Sequence, residues 1–189
     1  MSDSGTVHVL GISGSLRRGS FNSAALRAAQ ELAPQGLAIE TFDISPIPVY
    51  NEDVRQQGFP PPVEDLRRRI KAADGVLIVT PEYNYSIPGV LKNTIDWVSR
   101  PPEQPFDGKP IAIMGASVGA LGTARAQYHL RQSFVFMNGH VMNRPEVMIM
   151  QATNKFDANG KLIDQPTRDF IAAFLVAFKA WTVRMRSGA

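Results

Sequence analysis

The run Gly75-Val-Leu-Ile-Val-Thr80 is the part of this sequence that most restricts the fold. It contains no charged residue and no alternation of polar and apolar positions, so a strand built from it would be covered on both faces. Strands of that kind occur in parallel sheets that carry helices on both sides. We therefore predict a central parallel strand here.

Strand and helix patterns alternate along the rest of the chain. Strand patterns occur at residues 6–12, 37–42 and 111–115, and at 141–150, where Pro145 interrupts the run. Helical spacing predicts helices at about 23–33, 63–73, 89–99 and 123–136, and a last helix with Phe170, Phe174, Ala177, Phe178 and Trp181 on one face. Five strands alternating with five helices predict an α/β fold, a doubly wound five-stranded parallel sheet, in a single domain spanning residues 1–189.

The composition limits the chemistry available. The chain has no cysteine, and its histidines, His8, His129 and His140, are too scattered in sequence to suggest a metal site. Redox chemistry would therefore need a bound cofactor. No apolar run approaches the roughly 18 residues of a membrane span, and the first residues do not resemble a signal peptide, so we expect a cytoplasmic protein without a membrane partner.

The basic balance of the chain, a net charge of +3, raises the question of nucleic-acid binding. The densest basic run, Arg67-Arg-Arg-Ile-Lys71, falls on a predicted helix whose apolar residues occupy the opposite face. Glu64 and Arg68 are spaced to pair along that helix, and no aromatic residues interleave with the charges. We interpret the run as a solvated helix face and predict no nucleic-acid partner.

Three polar, glycine-containing loops, 13–22, 81–88 and 116–122, each follow a predicted strand. The carboxyl ends of parallel strands share one edge of a sheet, and ligands bind there, so these loops should converge. The first combines glycines, hydroxyls, Arg17, Arg18 and the expected helix N-cap Asn22, a set suited either to an anion or simply to a turn. The fingerprints of P-loop and dinucleotide-binding sites are both absent.

Two segments, Gly14-Ser-Leu-Arg-Arg-Gly-Ser-Phe-Asn22 and Pro81-Glu-Tyr-Asn-Tyr-Ser-Ile-Pro-Gly-Val-Leu-Lys-Asn-Thr-Ile-Asp-Trp97, resemble the NAD(P)H-dependent FMN reductase family, most closely its quinone, azo and chromate reductases. The likeness extends over nearly the whole chain, including Thr123-Ala-Arg-Ala-Gln-Tyr-His-Leu-Arg-Gln132. It implies a flavodoxin-like fold with strand order 2-1-3-4-5, noncovalently bound FMN, and NAD(P)H as co-substrate.

The resemblance also implies roles for individual residues. The residues implied to hold the FMN phosphate are Ser15, Arg17, Ser20 and Asn22, with Phe21 either in the core or beside the ribityl chain. The residues implied to border the flavin ring are Pro81, Glu82, Tyr83, Asn84, Tyr85 and Ser117. Simpler alternatives stay open: Ser20 and Asn22 as helix caps, Tyr83 and Tyr85 as loop packing, Ser117 as a turn hydroxyl.

The implied activity is transfer of hydride from NAD(P)H through FMN to quinones and related acceptors such as azo compounds, chromate or free flavin, by a ping-pong mechanism. No side chain is expected to act as a catalytic acid or base, since the flavin carries the chemistry. The main competing hypothesis is a flavodoxin-type one-electron carrier, although such carriers are acidic and this chain is basic. A non-flavin nucleotide sensor is a third.

Residues 44–60 form a long segment with Pro46, Pro48 and Pro60 and no periodicity. Long loops in compact domains are commonly functional. We expect Tyr50 and Phe59 to be exposed there beside the cofactor edge. Together with the family resemblance, this predicts a homodimer or homotetramer with active sites near the interface.

Overall fold

A computed structural model of the protein describes residues 5–187, and its centre is a parallel sheet. The strands are β1 (Val7–Ser13), β2 (Leu37–Phe42), β3 (Gly75–Val79), β4 (Pro110–Ala116), β5 (His140–Val141) and β6 (Val147–Ile149). Their order is β2-β1-β3-β4-β5, with β6 also paired to β4, and every pairing is parallel. This order confirms the predicted flavodoxin-like arrangement.

Helices cover both faces of the sheet. They are α1 (Phe21–Glu31), α2 (Glu52–Arg55), α3 (Pro61–Ala72), α4 (Gly89–Val98), α5 (Ala124–Phe136) and α6 (Gln165–Ser187), with a 3₁₀ turn at Ala152–Asn154. One apolar core lies between the sheet and the pair α1 and α6; a second lies between the sheet and α3, α4 and α5. All five residues of β3 are buried, as expected of a strand with a core on each side.

The fifth predicted strand is two separate strands, so the sheet has six strands rather than five. Both β5 and β6 pair with β4, and Pro145 lies between them. Proline has no N–H to donate to a strand partner, which explains the interruption.

Helix α1 begins earlier than predicted, and its N-cap is Ser20 rather than Asn22. The Ser20 hydroxyl accepts hydrogen bonds from the main-chain N–H groups of Asn22 and Ser23. On α6, Phe174 and Phe178 are buried as predicted, but Phe170 is exposed and Ile171 takes its place in the core.

The long segment 44–60 is packed, and the prediction that it exposes Tyr50 and Phe59 is wrong. The Tyr50 ring meets Trp97 edge-on at 4.8 Å between centroids, and the guanidinium groups of Arg55 and Arg67 lie 4.7 and 4.1 Å from the centroid of the Phe59 ring. Both rings are half-buried. The segment also contains the short helix α2, which begins with an Asn51 cap.

The basic face of α3 is only partly solvated. Arg67 donates to main-chain carbonyl groups of Val98, Arg100 and Pro102, so it ties α3 to the end of α4. The predicted pair of Glu64 with Arg68 is absent among the described residues; Asp65 pairs with Arg68 and Arg69 instead. Within residues 5–187, no helix has the length and apolar character needed to cross a bilayer.

Candidate active site

The three loops predicted to converge do meet, at the carboxyl ends of β1, β3 and β4. They enclose a cavity of about 190 Å³. Its lining residues are Ser15, Arg17, Ser20, Phe21, Asn22, Pro81, Glu82, Tyr83, Ala116, Ser117 and Val118. Nine of the predicted site residues are in this set; Asn84 and Tyr85 lie on the exposed tip of the second loop, outside it.

The first loop presents main-chain donors around the start of α1. Among the described residues, no acceptor pairs with the N–H groups of Leu16, Arg18, Gly19 or Phe21. Ser15 is at the edge of burial, and its hydroxyl makes only a long contact, 3.4 Å, with the N–H of Arg17. The loop therefore combines a helix N-terminus with several unused donors, an arrangement that suits an anion.

Arg17 adds a positive charge at the rim of the cavity. Within the described chain, neither Arg17 nor Arg18 forms an ion pair, and the Arg17 guanidinium lies 5.5 Å from the centroid of the Phe21 ring. Phe21 in turn packs on the buried Phe156 at 5.3 Å. Phe21 thus lines the cavity and also contacts the core. Its position is compatible with both predicted roles, core packing and a place beside the ribityl chain.

Asn22 has a structural task that the sequence did not reveal. Its side-chain amide donates to the carbonyl of Ala116 at 2.9 Å and accepts from the N–H of Ala116 at 2.8 Å. This pair of buried hydrogen bonds joins the start of α1 to the end of β4. Asn22 consequently fixes the distance between the first and third loops.

Glu82 likewise makes contacts that its predicted place beside the ring did not indicate. One carboxylate oxygen accepts from the N–H groups of Arg125 and Ala126, at 3.0 and 3.1 Å, and the other accepts from the Arg125 guanidinium at 3.1 Å. The second loop is thereby attached to the first turn of α5. A negative charge at a helix N-terminus is favourable, because the unpaired N–H groups there carry partial positive charge.

Gly115 explains how α5 comes so close to the sheet edge. A Cβ atom at this position would lie 2.2 Å from the Thr123 hydroxyl and from the carbonyl of Thr80. Only glycine fits such an approach, so the start of α5 can lie directly against the ends of β3 and β4.

The tip of the second loop is a tight turn held in an uncommon backbone conformation. Asn84 and Tyr85 have positive φ values, 49° and 66°, while Tyr83 and Ser86 exchange two main-chain hydrogen bonds of 3.1 and 3.0 Å. Left-handed residues other than glycine cost about 1–3 kcal/mol each and persist where other contacts impose them. Among residues 5–187 nothing accepts from the N–H groups of Asn84 and Tyr85, so the turn presents two donors.

Arg125 also contributes to this site, although the sequence predicted no role for it. Its guanidinium lies 3.7 Å from the centroid of the Tyr85 ring while pairing with Glu82. The lack of an acidic residue in the first turn of α5 does not single this residue out, because α1, α4 and α6 lack one as well.

Ser117 acts as a turn hydroxyl at the cavity wall. Its side-chain oxygen accepts from the N–H of Gly119 at 3.2 Å, and its main chain bonds to Ile149 and Ala152. A larger cavity of about 800 Å³ lies beside the edge strand β2, lined by residues such as His8, Gln30 and Arg69, and contains none of the predicted site residues.

The chain is similar to known proteins over most of its length. The family model described as NADPH-dependent FMN reductase matches residues 7–154. An NAD(P)H-dependent FMN reductase of Pseudomonas aeruginosa is 62% identical over 180 residues, covering 95% of this chain and 97% of the relative. A quinone reductase of Escherichia coli is 48% identical over 183 residues, with 95% and 97% covered.

A solved structure gives the same result for the fold. The flavoenzyme NAD(P)H:(acceptor) oxidoreductase FerB of Paracoccus denitrificans superposes with a TM-score of 0.87 at 36% identity, covering 95% of this chain and 99% of that one. These matches confirm the family, the oxidoreductase class and the cofactors FMN and NAD(P)H that the two motifs implied. The chain belongs to the NADPH-dependent FMN reductase family.

Proposed function

We propose that this protein transfers hydride from NAD(P)H to bound FMN and then passes the two electrons, with protons, to a quinone. The observation that carries the proposal is the meeting of the two motif loops at one cavity. The first loop lines the cavity with anion donors, and the second lines it with Pro81, Glu82 and Tyr83 and carries ring-edge donors on its tip, outside the cavity. When bound, FMN supplies the redox chemistry, accepting two electrons from the nicotinamide and giving them to the acceptor.

The first loop fits the phosphate of FMN. A phosphate dianion requires charge-assisted donors, and the loop has unused N–H groups, the Ser15 hydroxyl and the unpaired Arg17. We assign the phosphate to this end. The cavity volume of about 190 Å³ is smaller than the roughly 300 Å³ at which ligand pockets begin, so it suits the phosphate end rather than the whole cofactor.

The second loop fits the polar edge of the flavin ring. The free N–H groups of Asn84 and Tyr85 lie in a turn closed by two main-chain hydrogen bonds, and fixed donors favour negative charge on a bound ligand. We assign the pyrimidine edge of the ring to these donors. The two tyrosine rings beside the turn, Tyr83 and Tyr85, are exposed and available to border the ring or its substrates.

No side chain is assigned as an acid or base. The Glu82 carboxylate is already engaged with α5, and His129 is hydrogen-bonded to the Ser86 hydroxyl at 3.0 Å. Protons for the acceptor come from solvent in this proposal. Quinones are favoured as acceptors because the Escherichia coli relative is named a quinone reductase.

Steady-state kinetics test the proposal. The purified protein, saturated with FMN, is assayed with NADH and with NADPH against a panel of quinones, with free FMN as an alternative acceptor. We expect nucleotide oxidation that depends on both bound FMN and quinone. If neither NADH nor NADPH reduces the bound flavin, the one-electron carrier is favoured instead.

We also propose a homo-oligomer, a dimer or tetramer, on different residues from those first expected. The outer face of α5 exposes Tyr128, Val135 and Phe136, and Phe136 is 91% exposed. Large apolar side chains grouped on one exposed face are typical of protein interfaces. Since α5 also carries Arg125, the part of this face around Tyr128 lies about one turn from the candidate site, whereas Val135 and Phe136 lie at the opposite end of the helix.

A further inference from the structure

Helix α5 obtains its N-terminal cap from a distant part of the chain. The side chains of Ser20, Asn51 and Asp164 cap α1, α2 and α6 from neighbouring positions, whereas the Thr123 side chain makes no capping bond. Instead the Thr123 hydroxyl accepts from Gln127, and the carboxylate of Glu82 takes the N–H groups of Arg125 and Ala126. Glu82 is therefore a bridge between the second loop and a helix more than 40 positions away.

The bridge contacts the strained turn at two points. Glu82 comes directly before the turn, and Tyr85 lies within it; both contact the same guanidinium, that of Arg125. The Glu82 side chain is only 10% exposed, so its ion pair with Arg125 is shielded from solvent on one side. Because the positive φ values of Asn84 and Tyr85 need outside support, these two contacts are suited to hold the turn in place.

We propose that Glu82 is a positioning residue for the flavin: by binding α5, its carboxylate fixes the main-chain donors of the second loop at the ring edge. The inference rests on the proposed function, since it assigns the ring to this loop. The family resemblance implied that the Glu82 side chain borders the flavin ring; here the side chain acts on the loop and the main-chain donors contact the ring. Fixed donors stabilise the reduced, negatively charged flavin more than the oxidised one, so loosening them should lower the reduction potential of bound FMN.

The test compares Glu82→Ala and Glu82→Gln with a control at another helix. Asp164 is a matched control, because its carboxylate also takes a helix N–H, that of Thr167 at 3.0 Å, and a cation, Lys155 at 2.9 Å, but it serves α6. Asp164→Ala therefore reports the cost of losing a capping carboxylate away from the flavin loop.

The main measurement is the two-electron potential of bound FMN. Glu82→Ala should weaken the preference for reduced over oxidised FMN about tenfold, which corresponds to about 30 mV. Glu82→Gln keeps an acceptor oxygen and should shift the potential by less, while Asp164→Ala should not shift it. A potential that moves no more in Glu82→Ala than in Asp164→Ala would overturn the proposal and leave Glu82 as an ordinary cap.

A second measurement does not depend on the flavin. In FMN-free protein, amide hydrogen exchange at residues 83–86 should be faster in Glu82→Ala than in the wild type or in Asp164→Ala. Unchanged exchange would contradict the proposed bridge. If the wild type fails to bind FMN, the proposed function fails, yet this experiment still reports whether the bridge orders the turn.

Arg125→Met provides an independent route if Glu82→Ala does not fold. This change removes the guanidinium contacts to Glu82 and Tyr85 while leaving both N–H donors of α5 in place. We expect a potential shift in the same direction as for Glu82→Gln. No shift in either variant would refute the positioning role.

Discussion

Arg17 is the basic side chain among the residues that line the cavity, and it has no carboxylate partner within the described residues. Its neighbour Arg18 is also exposed and unpaired among those residues, but it does not line the cavity. The two arginines therefore form a natural pair of site and control positions with the same charge.

We predict that Arg17→Ala raises the dissociation constant of FMN about tenfold or more. Losing a hydrogen bond to a charged group costs roughly 1.5–3 kcal/mol, and about 1.4 kcal/mol is a factor of ten. Titration of FMN-free protein, followed by flavin fluorescence, measures the change. Arg18→Ala should change the constant only slightly; equal effects at the two positions would place the phosphate elsewhere.

At the scale of elements, the N-terminus of α6 depends on an ionised carboxylate. Hydrogen bonds to Asp164 from the Thr167 hydroxyl and then from the Lys155 ammonium lower the pKa of this carboxyl below its ordinary value of 3.8. Helix α6 covers one face of the sheet through Phe174 and Phe178, so its first turn is connected to the core.

This lowered pKa gives a pH dependence with a definite sign. Because the folded-state pKa lies below the unfolded one, Asp164 contributes stability above about pH 4 that is lost as the pH falls through the folded value. We predict that Asp164→Asn lowers the free energy of unfolding at pH 7 and makes it less sensitive to acid. Urea unfolding of FMN-free protein between pH 7 and 3 is the measurement, and parallel losses in variant and wild type would contradict it.

For the molecule as a whole, the exposed face of α5 predicts self-association. We expect Phe136→Arg to shift the protein toward monomer, because a charge replaces a ring that would otherwise be buried between subunits. Light scattering coupled to size exclusion at micromolar concentration gives the mass. Val176→Arg, an exposed position on α6, is the control; a wild type that is already monomeric would refute the interface.

Because the candidate site has one exposed side, we predict the order in which the two substrates bind and leave. NAD(P)H and quinone would use the same exposed side of the flavin beside Tyr83 and Tyr85, so the oxidised nucleotide must leave before the quinone binds. Initial rates at several fixed quinone concentrations should give parallel double-reciprocal lines. In anaerobic stopped-flow experiments the bound flavin should be reduced by NAD(P)H without quinone present. Intersecting lines would show that both substrates bind together.

The sequence by itself determined the alternation of the main strands and helices, the strand order that the family likeness implied, and the loops that meet at the site; it missed α2 and the separation of β5 from β6. Apolar runs and helical spacing are local patterns, and the carboxyl ends of parallel strands share an edge whatever the details. Nine of the site residues that the family resemblance implied line the cavity where those loops meet.

Only the tertiary structure decided which partner each polar side chain takes. Asn22 bonds to Ala116, Glu82 caps α5, Arg67 holds the end of α4, and Tyr50 packs on Trp97. Each of these contacts joins residues more than 30 positions apart, and several acceptors are main-chain atoms that look alike in any sequence. Local patterns fix where a residue lies along a strand or helix, but the choice among distant hydrogen-bond partners depends on how the elements pack against one another.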